Sequence, residues 1–441
     1  MTDRPFEPPL SRWWRRSVVL VMAVGFSLLA LVAFETYRGA PPIPGKVVDR
    51  AGETLFARAD VEGGQEVFFK HGLMEHGTLW GHGAYLGPDY TAEYLHRLAE
   101  IGRDALAQAR FGKPFGALDE GAALEVGETL KRELRQNRYD AGADVLVFTD
   151  VEEASFRTQA AEWANYFAGP TAAPGLPAKV VRDGGELRRL SAYFAWATWA
   201  TVAPRPGRDY SYTNNWPYEP LVGNVPTASA YFWSALSLVA LLGGLGAILF
   251  VFGKFDYLGW RGDAAAAPVH VGPIHGWKPT PSQKALGLYF AVVAALFLAQ
   301  AALGGALAHY RVEPGGFYGF DLAAVLPYNL ARTWHLQLAV FWIATSWVAG
   351  GLFLAALVGG GDPKGQRGGV LALLGALVVV VVGSLFGEMA GLADKLKDLW
   401  FWLGHQGSEY LDLGRFWQLL LAAGLAFWLL LMFRALRPAM K

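Results

Sequence analysis

One histidine of the 441-residue chain lies in an otherwise apolar run. His335 lies in RTWHLQLAVFW, and an ionisable side chain at membrane depth is costly unless a ligand or a neighbouring helix satisfies it. Imidazole nitrogen is a usual axial ligand of haem iron, and the apolar residues that follow could pack on a porphyrin. Arg332 and Trp334 could then meet the haem propionates. A histidine hydrogen-bonded to a neighbouring helix is the alternative, and spacing alone leaves both open.

A second histidine stands four residues before a carboxylate in AHYRVEPGGFYGF. If this turn is helical, His309 and Glu313 face the same way. Such a pair could accept the two protons of a quinol as its electrons leave, with Phe317 packed on the ring. An ordinary solvated loop pair is the alternative reading.

Other polar residues give weaker signals. His71, His76 and His82 fall within twelve residues, but their spacings match no helix face, which favours ordinary loop histidines over a metal site. Glu388 lies at the end of an apolar run and is either a proton carrier or a structural carboxylate.

The composition indicates which kinds of element carry these residues. The chain is 53% hydrophobic, with 17 Trp and no Cys, and its formal net charge is zero. This places it among membrane proteins and gives no reason to expect nucleic-acid binding. The absence of Cys excludes disulfides, Cys-ligated zinc, iron–sulfur clusters and haem attached through C-x-x-C-H. Six runs reach the length of about 20 residues that a bilayer requires: 17–34, 227–252, 285–307, 336–357, 369–386 and 416–433.

The basic residues predict the orientation of these runs. Lys and Arg lie in the N-terminal tail, at 253–284, at 358–368 and at the C-terminus, all on one side if the runs alternate. The positive-inside rule makes that side cytoplasmic. We therefore predict four segments: a cytoplasmic tail and anchor helix at 1–39, an outer domain at 40–226, a second span and cytoplasmic loop at 227–282, and four further spans at 283–441.

Four motifs resemble the N-terminal part of a quinol-dependent nitric oxide reductase of the haem-copper oxidase superfamily. They are GQEVFFKHGLMEHGTLWGHGAYLGPDYTAEYLHRLA, YTNNWPYEPLVGN, RTWHLQLAVFWIATSWVAGGLFLA and GHQGSEYLDLGRFWQ. Their order along essentially the whole chain makes the resemblance specific. It implies a mainly α fold: a polytopic membrane helix bundle with one extracytoplasmic cytochrome-c-like domain that lacks haem, in a bacterial inner membrane.

The resemblance also implies roles for individual residues. His335 matches one axial ligand of the low-spin haem b, with Arg332 near a propionate. The quinol-binding residues are matched by His309, Glu313 and Phe317. A structural calcium ion between the outer domain and the membrane part would be held by the set Gly83, Tyr85 and Glu409.

The family reaction converts two NO to N2O and water with two electrons from quinol and two protons, in denitrification or NO detoxification. In the family, the second axial histidine of the low-spin haem and the ligands of the catalytic haem and the non-haem iron lie on later spans. We therefore expect a truncated or split gene product, or a fragment, that needs a C-terminal catalytic half and is not catalytically complete alone. A homodimer is left open. The alternatives are a non-catalytic haem- or quinone-binding remnant and, less favoured, an oxygen-reducing relative.

Overall fold

The structure is a computed structural model that describes residues 12–82, 86–169, 173–255, 278–314, 316–406 and 412–440. It is mainly helical, as predicted. The helices are α1 Arg12–Arg38, α2 Arg58–Lys70, α3 Leu73–His76, α4 Tyr90–Phe111, α5 Glu120–Leu134, α6 Asp150–Ala168, α7 Gly184–Val202, α8 Ala228–Phe255, α9 Pro281–Tyr310, α10 Tyr328–Val358, α11 Gln366–Leu392 and α12 Arg415–Leu436. The strands are β1 Lys46–Val48, β2 Thr54–Ala57, β3 Tyr139–Asp140 and β4 Val145–Val147. Short 3-10 turns lie at Phe115–Ala117, Pro220–Val222, Lys397–Leu399 and Arg437–Met440, and one π-helical turn at Trp400–Gly404.

Six helices of the described chain are long and apolar enough to cross a membrane, which confirms the six predicted runs. They are α1, α8, α9, α10, α11 and α12. Each extends beyond its apolar run, and α10 begins at Tyr328 rather than at 336. Its first turns are polar because they meet the outer domain: the Asn329 side-chain amide donates to the His71 carbonyl at 3.0 Å.

The last four of these helices pack into one bundle. Buried polar side chains link neighbouring helices by donating to their backbone carbonyl groups. The Tyr289 hydroxyl on α9 donates to the Val370 carbonyl on α11 at 2.7 Å, and the Gln366 amide on α11 donates to the Leu431 carbonyl on α12 at 3.1 Å. The most apolar windows of α1 and α8 are, in contrast, wholly exposed, so these two helices can contact lipid on all sides.

The outer domain combines helices with a small sheet. Helical patterns in the sequence predict helices at 90–111, 121–137, 152–167 and 185–201, and all four are present as α4 to α7. The sheet has the order β2-β1-β4-β3, with β1 and β4 parallel and the outer pairs antiparallel. Aromatic rings fill the interior: Tyr90 stacks on Phe194 with centroids 4.9 Å apart, and Trp163 and Phe167 pack against both.

A polar contact joins the outer domain to the membrane bundle. The Lys70 ammonium lies 3.0 Å from Glu186 within the domain and 3.0 Å from Asp394, which follows α11. His71 lies 3.0 Å from the second oxygen of Glu186. The His405 imidazole donates to the Phe69 carbonyl at 3.1 Å from the membrane side. The end of α2 is therefore held from both sides.

This contact predicts a pH dependence of stability. The hydrogen bond from His71, followed by that from Lys70, lowers the pKa of Glu186 from 4.5 to about 2. A lowered folded-state pKa stabilises the fold above the unfolded value of 4.5, and this stabilisation is lost as the pH falls toward 2. We expect Glu186→Gln to lower the melting temperature by about 2–4 °C at neutral pH, as loss of about 1 kcal/mol does in a domain of this size.

The difference in melting temperature between wild type and Glu186→Gln should vanish as the pH approaches 2. Glu128→Gln serves as the control, because the Glu128 side chain is 61% exposed on α5. A difference for Glu186→Gln that stays constant across this pH range would contradict the assignment.

Candidate functional site

His335 lies on α10 and faces α9. Its Nδ1 is 2.8 Å from the backbone carbonyl oxygen of Gln300. A carbonyl only accepts, so Nδ1 carries the proton and Nε2 keeps a lone pair. The Gln300 side-chain amide donates to this lone pair at 3.1 Å. The imidazole is therefore fixed in one tautomer.

A glycine makes room for this ring. A Cβ atom at Gly304 would lie 2.9 Å from Cε1 of His335, closer than side chains normally approach. Metal-ligating histidines usually donate their second ring nitrogen to a carbonyl or a carboxylate, which sets the tautomer and orients the ring. His335 meets both requirements of a haem ligand, an Nε2 lone pair and an anchored Nδ1–H, once the Gln300 amide moves aside.

Arg332 lies almost one helical turn before His335, toward the outer end of α10. Its guanidinium forms an ion pair with Glu75 of the outer domain, and the two side chains are 15% and 11% exposed. Trp334 is turned elsewhere, because its indole N–H donates to the Leu385 carbonyl at 3.2 Å. Arg332 and Trp334 were both considered as partners of the haem propionates. Of the two, Arg332 has its charged group on the side of His335 that faces Glu75.

The proposed quinol residues come together at the C-terminal end of α9. His309 Nε2 donates to Glu313 at 2.9 Å, and the His309 and Phe317 rings have centroids 4.5 Å apart. The Tyr318 N–H donates to the same carboxylate oxygen at 2.9 Å, and the Gly319 N–H donates to the other at 3.4 Å. Tyr318 and Gly319 have φ of 51° and 85°, and this left-handed turn directs both N–H groups at the carboxylate.

This carboxylate is held in its ionised form. The hydrogen bond from His309, and after it the one from the Tyr318 N–H, lower the pKa of Glu313 below its ordinary value. Its side chain is 39% exposed and Phe317 is 40% exposed, whereas His309 is 17% exposed. The cluster therefore presents an open aromatic surface beside a proton-accepting pair.

The three histidines of the outer domain do not converge. His71 pairs with Glu186, and His82 donates to the Leu79 carbonyl at 2.9 Å. His76 is buried between the Tyr90 hydroxyl at 3.1 Å and the Pro174 carbonyl at 2.8 Å. Burial lowers the pKa of His76 to about 4. Because the three imidazoles have separate partners, they are better explained as structural histidines than as ligands of one metal ion.

Glu388 is buried in α11, with 1% of its surface exposed. Within the described residues its Oε2 has no hydrogen-bond partner. The neighbouring Gln337 of α10 donates to the Asp412 carbonyl at 2.6 Å. Both roles considered for Glu388, a proton carrier and a structural carboxylate, fit this location.

The proposed calcium residues Gly83, Tyr85 and Glu409 lie outside the residues that the structure describes. Within the described ranges, no three His, Asp or Glu side chains gather closely enough to hold a metal. Sequence reasoning did not identify Gln300 and Glu75 as parts of the site. Neither belongs to a local spacing pattern with its partner, so only the packing of the chain brings them there.

Two family models match the chain. Residues 44–218 match the NorB cytochrome c-like domain of nitric oxide reductase. Residues 284–441 match the cytochrome c and quinol oxidase polypeptide I family, COX1. No curated protein matches the chain. Both domains lie in one polypeptide. The part of the chain that the structure describes contains six helices able to cross a membrane. The chain is therefore a multi-pass membrane protein, and its two matched domains support a NorB-type nitric oxide reductase within the haem-copper oxidase superfamily.

Proposed function

We propose that this chain oxidises membrane quinol and passes the electrons to a low-spin haem b held by His335. It does so as one part of an enzyme that reduces two NO to N2O and water. The observation that carries the proposal is the cluster of His309, Glu313 and Phe317 at the outer end of α9.

Quinol oxidation releases two electrons and two protons. Glu313 is ionised at neutral pH, and its hydrogen bonds lower its pKa further, so its carboxylate is free of a proton and can accept one from a quinol hydroxyl. His309 donates from Nε2 to Glu313, which leaves its Nδ1 lone pair to accept the other hydroxyl proton. The exposed Phe317 ring offers an apolar surface to the quinone ring. One charged acceptor and one neutral acceptor thus meet the proton requirement of the reaction.

The geometry around His335 fits a haem. A bound haem supplies one-electron transfer, which splits the two electrons of quinol into single steps. The chain supplies the Nε2 ligand and the Gln300 carbonyl that orients it, and Arg332 supplies positive charge on the side of the propionates. A C-terminal catalytic part supplies the second axial ligand and the ligands of the catalytic haem and the non-haem iron. Residues 284–441 contain three histidines, His309, His335 and His405, which is fewer than these sites need.

Several parts of the proposal concern the surroundings of this site. The segment 40–226 is an extracytoplasmic cytochrome-c-like domain without haem, and the packed rings around Tyr90 support this. The membrane is a bacterial inner membrane, with the N-terminus in the cytoplasm. Calcium binds at Gly83, Tyr85 and Glu409.

Anaerobic reduction of the complete enzyme with a short-chain quinol tests the proposal. We expect the low-spin haem b spectrum to become reduced within the turnover time, and NO consumption to follow. Reduction by dithionite but not by quinol would overturn the proposal and favour the second candidate, a non-catalytic haem-binding remnant. That candidate keeps the His335 geometry but gives no function to the His309–Glu313 pair.

A further inference from the structure

We infer that Glu75 is a positioning residue that holds Arg332 beside the low-spin haem and partly cancels its positive charge. The reduction potential of that haem is therefore lower than it would be with Arg332 alone. The inference rests on the proposed function, in which His335 ligates the haem. It gives the outer domain a role in electron transfer that requires no cofactor within that domain.

The two residues come from different parts of the fold. Glu75 lies in α3 of the outer domain, and Arg332 lies in the part of α10 that reaches that domain. Glu75 is buried, with 8% of its surface exposed, and its carboxylate contacts the Arg332 guanidinium directly. A buried carboxylate needs such a partner, because its desolvation would otherwise be uncompensated.

The backbone that carries Glu75 is fixed on both sides. The carbonyl of His71, shortly before it, accepts a hydrogen bond from Asn329 of α10. A Cβ atom at Gly72 would lie 2.8 Å from the side chain of Leu392, so the turn before α3 packs directly on the bundle. His76, directly after Glu75, is anchored through both ring nitrogens. The carboxylate therefore stays in place against α10.

The position of Arg332 on its helix directs its charge at the haem. Residues three apart in a helix lie on the same face, so Arg332 and His335 share one face, with Arg332 toward the outer end. A guanidinium carries five N–H donors in a fork, and one carboxylate does not use all of them. Arg332 can therefore contact Glu75 and an acidic group of a bound haem together.

The charges determine the direction of the effect. An electron added to the haem is stabilised by the positive charge of Arg332, and Glu75 partly cancels that charge. Removal of the negative charge of Glu75 leaves more of the positive charge of Arg332 acting on the haem and so favours the reduced haem. A unit charge in a partly buried position beside the haem changes the ratio of reduced to oxidised haem on the order of tenfold.

Redox titration of the low-spin haem in the complete enzyme tests this inference. We expect Glu75→Gln to raise the potential, with a reduced-to-oxidised ratio about tenfold higher at fixed potential. The conservative Glu75→Asp should restore most of the wild-type value. Glu66→Gln is the matched control, because Glu66 is an exposed carboxylate of α2 in the same domain, and it should leave the potential unchanged.

A normal low-spin haem with unchanged potential in Glu75→Gln would overturn this inference while leaving the proposed function intact. Absence of a low-spin haem from the wild type would instead overturn the proposed function.

A second measurement needs no haem. The chain contains no Cys, so Glu75→Cys combined with Arg332→Cys creates a single pair of thiols. Cysteines at these positions lack the reach of the Glu and Arg side chains, so a bis-methanethiosulfonate reagent of matching length should link them in membranes. A protease cut between α8 and α9 would then leave one band until reductant is added. Two bands without reductant would overturn the contact.

Discussion

The His335→Ala variant is expected to lack the low-spin haem in the complete enzyme. Alanine removes the Nε2 ligand that the Gln300 carbonyl orients through Nδ1. Loss of a hydrogen-bond partner behind a metal ligand already costs 10- to 100-fold in affinity, so loss of the ligand itself should cost more than about 100-fold. Optical and electron paramagnetic resonance spectra of the purified enzyme measure the haem, and quinol-driven NO consumption should fall to background.

The control for this variant is His309→Ala. It removes the other membrane-side histidine of α9 and α10, yet it should keep a normal low-spin haem spectrum because His309 lies at the end of α9, in contact with Glu313. A normal low-spin spectrum in His335→Ala would show that another residue ligates the haem. Loss of the spectrum in both variants would point to a general folding defect.

Local spacing was enough to predict the parts of the site that lie close together in the chain. His309 and Glu313 are four residues apart, and the end of α9 brings them to 2.9 Å, as helical geometry requires. The six apolar runs were equally predictable, because a bilayer imposes a minimum length on each. These features depend on short-range periodicity alone.

The contacts that complete the site depend on the packing of distant segments. The Glu75–Arg332 pair joins two residues 257 positions apart, and no spacing rule links them. Similarly, the N–H groups that hold Glu313 come from a turn with positive φ at Tyr318, a conformation that a tyrosine in the sequence does not predict. Sequence reasoning therefore predicted candidate reacting residues but not the residues that position them.

The outer domain also has parts that local sequence patterns predict and parts that depend on contacts between distant segments. Its long helices were predicted from helical sequence patterns, whereas the sheet was missed. Its strands have two to four residues each, too short for an alternating pattern to stand out. The parallel pairing of β1 with β4 also joins segments about 100 residues apart, which only tertiary packing specifies.

Replacement of Glu313 by glutamine is expected to impair turnover with quinol and to spare turnover with an artificial electron donor. Glutamine keeps the size of the side chain and its acceptor oxygen for the Tyr318 N–H, but it cannot take a proton at neutral pH. A positioned general base contributes about 100-fold or more, so kcat/KM for quinol should fall by that factor. The low-spin haem spectrum should be unchanged, since His335 and its partners are untouched.

The pH profile gives an independent check of the same role. The carboxylate of Glu313 is the accepting form at neutral pH, and the hydrogen bond from His309 lowers its pKa, so this form persists to a lower pH. In the wild type, kcat/KM for quinol should fall as the pH drops through that lowered pKa, and Glu313→Gln should lose this limb of the profile. Asp321→Asn, in the same loop, is the matched control and should behave as wild type, because the Asp321 carboxylate accepts a local N–H from Ala324. Equal loss of activity with quinol and with the artificial donor would argue against a quinol site at His309 and Glu313, because it would place the defect after the entry of electrons.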